Sequence, residues 1–236
     1  MKKILFLILF LLYGYGVGSE TVETETRIIV PAYFYDAAFW EKLIQSKARG
    51  SIVIINPSNG PGDVTDINYK TWISQLVGGS KIPVGYVYSS YSNRNITDVY
   101  YDIEKWIRLY PQIKGFFIDE VNVSAEAHVY YENLFKFIKM KGDYFIVLNP
   151  GTRPNDEMFN VADIVIVFEG DVKNLNTDVC ALNPEKSSVI VYNASEDDMK
   201  HLGLLNCAYK YFTDDGGSNP YDSLPSYFNE EIEYLK

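Results

Sequence analysis

Ile164-Val165-Ile166-Val167-Phe168-Glu169 decides how this chain is read, because five apolar residues run without a polar break and stop on an acid. A strand with one face in water alternates apolar and polar residues. An unbroken apolar run suits a strand buried on both faces, as in a parallel sheet covered by helices. Toward the N-terminus the same form recurs, in Ile52-Val53-Ile54-Ile55 and in Gly115-Phe116-Phe117-Ile118-Asp119-Glu120. In all, strands are expected at Ile28–Phe34, Ser51–Asn56, Val84–Tyr88, Gly115–Asp119, Tyr144–Asn149, Asp163–Glu169, Val189–Asn193 and Ala208–Thr213.

Helical periodicity fills the gaps at Ala38–Ala48, Tyr69–Val77, Thr97–Leu109, Ala125–Lys139 and Glu196–Leu204, with Thr97 and Ser124 placed to cap the third and fourth helices. The connections after the fifth and sixth strands read as short or irregular. Eight strands alternating with helices, with no composition break and no Pro/Gly/Ser-rich linker, predict one α/β domain over residues 27–236. A closed (β/α)8 TIM barrel accounts for the count, and a doubly wound open sheet is the competing arrangement.

Composition narrows the function classes. The 236 residues carry 21 Lys+Arg against 31 Asp+Glu, a net charge of -10. So acidic a chain lacks the cationic footprint that nucleic-acid binding requires, and no nucleic-acid partner is expected. With His128 and His201 as its only histidines, it cannot build a three-histidine zinc site. Both fall within helical patterns, where surface or packing roles are expected. Aromatic residues make up 15% of the chain, with 20 Tyr among them. These rings are flat apolar faces with a polar tip.

Met1-Lys2-Lys3, the nine apolar residues Ile4–Leu12 and the small residues Gly14, Gly16, Gly18 and Ser19 have the layout of a secretory signal peptide, expected over residues 1–18. A bilayer span needs about 20 apolar residues, so membrane association is expected only through an uncleaved signal anchor. Removal of the leader leaves 19 basic against 31 acidic residues. A secreted or cell-surface protein permits its only cysteines, Cys180 and Cys207, either to pair or to stay as buried thiols. Sequons begin at Asn95, Asn122 and Asn193.

Barrel active sites lie at the C-terminal strand ends. There stand Tyr33 and Tyr35, Asn56, Tyr86 and Tyr88, Asp119 and Glu120, Asn149, Glu169, Asn193, and Thr213 with Asp214. Polar residues set beside a packed core are costly unless partnered, so a ring of them suggests a cleft. Strand alternation puts Asp119 and Glu120 on opposite faces, so one carboxyl from strand four is expected to face one from strand six across the mouth. Glycoside hydrolysis needs such a pair, one carboxylate to attack the anomeric carbon and one acid to protonate the leaving oxygen. The competing reading has these acids capping helices or pairing with Lys and Arg. Asn59-Gly60-Pro61-Gly62-Asp63 lacks the phosphate-loop lysine and reads as a rigid turn, and Asp214-Asp215-Gly216 lacks EF-hand spacing and reads as a solvated one. No metal and no cofactor is expected.

Seven segments in order carry a family likeness: Val30–Tyr35, Asn56–Gly62, Gly85–Tyr88 with Tyr91 and Arg94, Gly115–Glu120, Asn149–Thr152, Phe168-Glu169 and Asn219–Tyr227. Together they resemble the spherulin-4 family. The resemblance implies a secreted (β/α)8 glycoside hydrolase similar to enzymes that cut α-1,4-linked galactosamine and N-acetylgalactosamine polysaccharide. It implies Asp119, Glu120 and Glu169 as the acidic functional positions; by analogy with other α-glycosidase barrels Asp119 is expected as nucleophile and Glu169 as general acid/base, with Glu120 positioning substrate or exchanging roles with Asp119. Tyr33, Asn56, Tyr86, Tyr88, Arg94, Asn149, Tyr211 and Asp214 are the expected substrate-binding residues. The chain departs from the family pattern at Ser92, where Gly is expected. A non-catalytic carbohydrate-binding or cell-surface structural protein on the same barrel is the alternative. The Asn122 sequon, two residues beyond Glu120, is expected to carry no glycan, since a sugar there would crowd the cleft.

Overall fold

The computed structural model describes residues 27–235, so the expected leader and its cleavage point lie outside the described residues. The strands are β1 (Ile29–Ala32), β2 (Ile52–Ile55), β3 (Ile82–Tyr88), β4 (Gly115–Asp119), β5 (Phe145–Leu148), β6 (Ile164–Asp171), β7 (Ser187–Tyr192) and β8 (Tyr209–Phe212). Each pairs in parallel with the next, in the order β1 to β8. Ile28 bridges Lys210 and turns the sheet back on itself. This is the (β/α)8 barrel expected from the apolar runs, whose residues Ile52–Ile55 and Ile164–Val167 are buried as the missing alternation requires.

The β1/β8 seam is thin, and the C-terminal chain reinforces it. Tyr33 N–H donates to the Tyr221 carbonyl. Phe212 N–H donates to a carboxyl oxygen of the wholly buried Glu231 at 2.8 Å. Burial pushes that carboxyl up to about 8, so Glu231 serves the seam as a neutral acid at pH 7. It belongs to a short terminal helix, Phe228–Tyr234, whose seven residues are too few to show periodicity in the sequence.

The remaining helices are α1 (Ala37–Gln45), α2 (Ile67–Gly78), α3 (Ile96–Leu109), α4 (His128–Lys141) and α5 (Glu196–Leu202), making the terminal one α6. Only 3₁₀ turns follow β5 and β6, at Asp156–Val161 and Val172–Asn174, as the irregular spacing indicates. Two caps differ from expectation. Asn95, not Thr97, caps α3: its side-chain Oδ1 accepts the Thr97 N–H at 3.1 Å, and Thr97 itself lies inside the first turn. Ser124 opens a 3₁₀ turn without a side-chain cap, and its own N–H donates to Asn122 Oδ1 at 2.9 Å.

Part of the aromatic excess joins helices to one another and to the barrel. Trp40 stacks on Trp72 at 4.6 Å between α1 and α2, and Tyr100 on Phe137 at 3.9 Å between α3 and α4. Trp106 of α3 packs so closely over Gly85 of β3 that a Cβ there would stand 2.6 Å from the indole. Cys180 and Cys207 form a disulfide, resolving the alternative left open by the sequence. No described helix is long and apolar enough to cross a membrane.

Candidate active site

β4 delivers Asp119 and β6 delivers Glu169 to the same end of the barrel, and the buried Asn149, just past β5, joins them. Its amide donates to Asp119 Oδ1 at 2.8 Å and to Glu169 Oε2 at 2.5 Å. The Gly151 N–H donates to its Oδ1 at 3.0 Å, which fixes the amide end that faces the acids. Because one nitrogen serves both carboxyls, their bonded oxygens are no farther apart than 5.3 Å, the sum of the two bonds.

Each acid's other oxygen takes a phenol. Tyr86 Oη donates to Asp119 Oδ2 at 2.7 Å, and Tyr221 Oη to Glu169 Oε1 at 2.8 Å. Tyr33 sets its ring edge-on between these phenols, 5.8 Å from Tyr86 and 5.9 Å from Tyr221. A bridged chain of side chains, Tyr86–Asp119–Asn149–Glu169–Tyr221, thus crosses the barrel mouth. Burial, then Asp119, then Glu169 raise the Tyr33 phenol. Burial and Asp119 raise that of Tyr86, and burial and Glu169 that of Tyr221, so all three remain protonated. Burial, with the nearby Asp119 carboxylate, lifts the Glu169 carboxyl above the usual range against the hydrogen bonds from Asn149 and Tyr221.

Local backbone features aim these groups. The β6–β7 register slips between Ile166 and Phe168, a bulge that resets the alternation just before Glu169. Glu120 leaves β4 with φ +54°, so the strand alternation that would oppose it to Asp119 ends at Asp119. Asp119, Glu120, Asn149, Pro150, Gly151 and Glu169, with Tyr91 and Tyr192, line one open cleft of about 410 Å³. Beside it Ser90, Tyr91 and Ser92 all have left-handed backbone, with φ of 50°, 54° and 65°. Each such residue costs on the order of 1 kcal/mol when it is not glycine. Ser92 therefore occupies a position where the glycine of the family pattern would be relaxed.

The other expected residues are placed elsewhere. Tyr211 is 0% exposed in the interior, with its hydroxyl among the unpartnered buried atoms, so it reaches no cleft. Arg94 pairs with Asp102 at 2.6 Å and covers the Tyr88 ring, and this locks both Arg94 and Tyr88 into the β3–α3 connection. Asn56 accepts the Gly60 N–H at 2.9 Å and braces the Asn59–Gly62 turn. Asp214 accepts from the Ser226 N–H and hydroxyl in the loop beyond β8. Tyr221, Tyr91 and Tyr192 were missed as site residues. The first two belong to the segments that carry the family likeness, yet only the folded loops bring them to the acids. Among the described residues no group of three or more His, Cys, Asp or Glu is arranged to hold a metal ion.

Comparison with known proteins agrees with this architecture. The sequence profile of spherulation-specific family 4 (Spherulin4) matches residues 27–235. Spherulin-4 of Physarum polycephalum is 32% identical over 235 residues, covering 90% of this chain and 71% of that protein. Among solved structures, Aspergillus clavatus Sph3 in complex with GalNAc superposes with a TM-score of 0.78 at 22% identity, over 89% of this chain and 97% of that one. An endo-β-N-acetylglucosaminidase from Cordyceps militaris superposes with a TM-score of 0.62 at 10% identity, over 91% of this chain and 92% of that one. The catalytic domain of a Streptomyces sp. SirexAA-E mannanase gives 0.55 at 14%, over 84% and 78%.

Proposed function

Because the chain belongs to spherulation-specific family 4, we propose that it is a secreted glycoside hydrolase cutting within polysaccharide that contains α-1,4-linked galactosamine or N-acetylgalactosamine. The observation that carries this reading is the single Asn149 amide shared by Asp119 and Glu169. An upper limit of 5.3 Å between their bonded oxygens favours the close pair of retaining glycosidases, roughly 5–5.5 Å, over the roughly 6.5–9.5 Å that inverting ones leave for a water. The GalNAc bound by Sph3, on the same fold, supports an amino-sugar substrate. The apolar leader Ile4–Leu12 supports secretion.

In this reading Asp119 attacks the anomeric carbon while Glu169 gives its proton to the departing glycosidic oxygen. The sugar is then an ester of Asp119, and the shortened chain leaves as an alcohol. Glu169, now a carboxylate, takes a proton from water as that water attacks the same carbon and frees Asp119. The raised Glu169 carboxyl suits a group that must hold its proton until the bond breaks. Tyr86 and Asn149 fix the attacking carboxylate, and Glu120 positions the substrate at the mouth.

Incubating the protein with galactosamine and N-acetylgalactosamine polymers, with product size read by mass spectrometry, tests the reading. Short oligosaccharides with new reducing ends are expected. Binding without any released ends would favour the non-catalytic alternative.

A further inference from the structure

We propose that Tyr91 is the sugar-stacking platform of a binding subsite beside Asp119 and Glu120, taking the C–H face of a pyranose. The proposal rests on the carbohydrate reading above and adds the residue that would select the sugar.

The peptide of Tyr91 is held from several sides. Its N–H donates to the Glu120 carbonyl at 2.7 Å. Its carbonyl accepts from the Asn122 amide at 3.1 Å and from the Ser92 hydroxyl at 2.5 Å. The same Asn122 amide donates to Ser92 Oγ at 3.3 Å. This clamp holds three successive non-glycine residues in the left-handed region. Strain of this kind persists only where the surroundings over-determine it, and it gathers at ligand-binding sites.

The side chain is the opposite of its backbone. It is 55% exposed, lines the cleft with the acids, and among the described residues neither its ring nor its hydroxyl has a partner. Folding gains little from a ring left in water, so the clamp serves where that ring is presented. Tyr192, at the end of β7, lines the same cleft, with Asp119, Asn149 and Glu169 also in the lining. The lining thus supplies acceptors and donors for hydroxyls, with aromatic surface for what hydroxyls do not cover. A pyranose whose 4-hydroxyl is axial carries its C3, C4 and C5 hydrogens together on one face. That apolar patch matches the exposed ring and favours a galacto- over a gluco-configured unit.

The test uses the full protein carrying Asp119→Asn, so that ligand is not consumed. Galactosamine and N-acetylgalactosamine hexasaccharides are titrated calorimetrically with and without Tyr91→Ala. Tyr91→Ala should raise Kd about tenfold, equivalent to about 1.4 kcal/mol. Tyr91→Phe and Tyr91→Trp should stay within about threefold, since the ring and not the hydroxyl does the stacking. A gluco-configured hexasaccharide should bind more weakly and lose less on the same truncation. Unchanged Kd in Tyr91→Ala, or no hexasaccharide binding at all, overturns the platform. If Tyr91→Ala weakens binding but the unmutated protein releases no reducing ends, the hydrolase reading fails while the platform stands. Melting curves for Tyr91→Ala should match those of its parent, and a Phe variant that binds like Ala would also overturn the proposal.

Discussion

The two ends of the barrel handle buried charge in opposite ways. Where strands begin, lysines are each given their own acceptors. Lys81, just before β3, donates to the carbonyls of Ile44 and Ser46 at 3.1 and 3.0 Å. Lys186, just before β7, donates to those of Phe159 and Ala162 at 2.7 and 2.9 Å. Lys210 of β8 donates to Leu205 at 2.9 Å. Several of these carbonyls are ones that helix ends leave without a partner. A nearby depression is lined by Lys81, Lys114 and Lys139 together with Asp143 and Asp163, and Lys139 pairs with Asp163 at 3.3 Å. Where strands end, like charges are instead drawn together, with Asp119 and Glu169 sharing one amide and Glu120 in the same cleft. Burial shifts groups at both ends, pushing Lys81 and Lys210 down and Glu169 up. A shifted group is therefore no sign of chemistry by itself; convergence of like charges onto a shared cleft is the sign.

The contrast predicts where activity and stability separate. Asp119→Asn, at the converging end, should cut hydrolysis by about 10³-fold or more while leaving the melting temperature nearly unchanged. A collapse in melting would make that end structural as well. Lys186→Ala should do the reverse. It strips the donor from two carbonyls, lowers stability by about 2 kcal/mol in a denaturant titration, and leaves kcat of the folded protein unaltered.

A finer effect lies in pH dependence. If Glu169 must be protonated to act, activity declines as pH rises through its raised pKa. The Tyr221 hydrogen bond stabilises the charged form and lowers that pKa. Removing it in Tyr221→Phe should therefore carry the alkaline limb of the activity profile to higher pH. A limb that stays in place, or moves down, would separate Glu169 from the proton transfer.

The barrel was legible because buried parallel strands have a signature that survives in one sequence. Ile52–Ile55 and Ile164–Phe168 needed no context to be recognised. The acids at strand ends were legible for the same reason, since each directly follows such a run. Of their partners, Tyr86 and Asn149 also stand at strand ends and were legible, whereas Tyr221 was not. Tyr221 meets Glu169 across 52 residues of chain, and nothing local distinguishes it from the wholly buried Tyr211. The bulge before Glu169 is a matter of register between two strands, and no property of Val167 alone announces it. The left-handed turn at Glu120 likewise depends on its carbonyl accepting the Tyr91 N–H and lying 2.8 Å from the Ser89 hydroxyl.

The central claim is that Asp119 and Glu169, spanned by one amide, work as a retaining pair. Its most direct test is the anomeric configuration of the first product, followed by proton NMR during cleavage of an α-linked galactosamine polymer and before mutarotation sets in. New reducing ends that first appear as the α anomer are the expected result. Ends that first appear as the β anomer, or no new reducing ends at all, would contradict it.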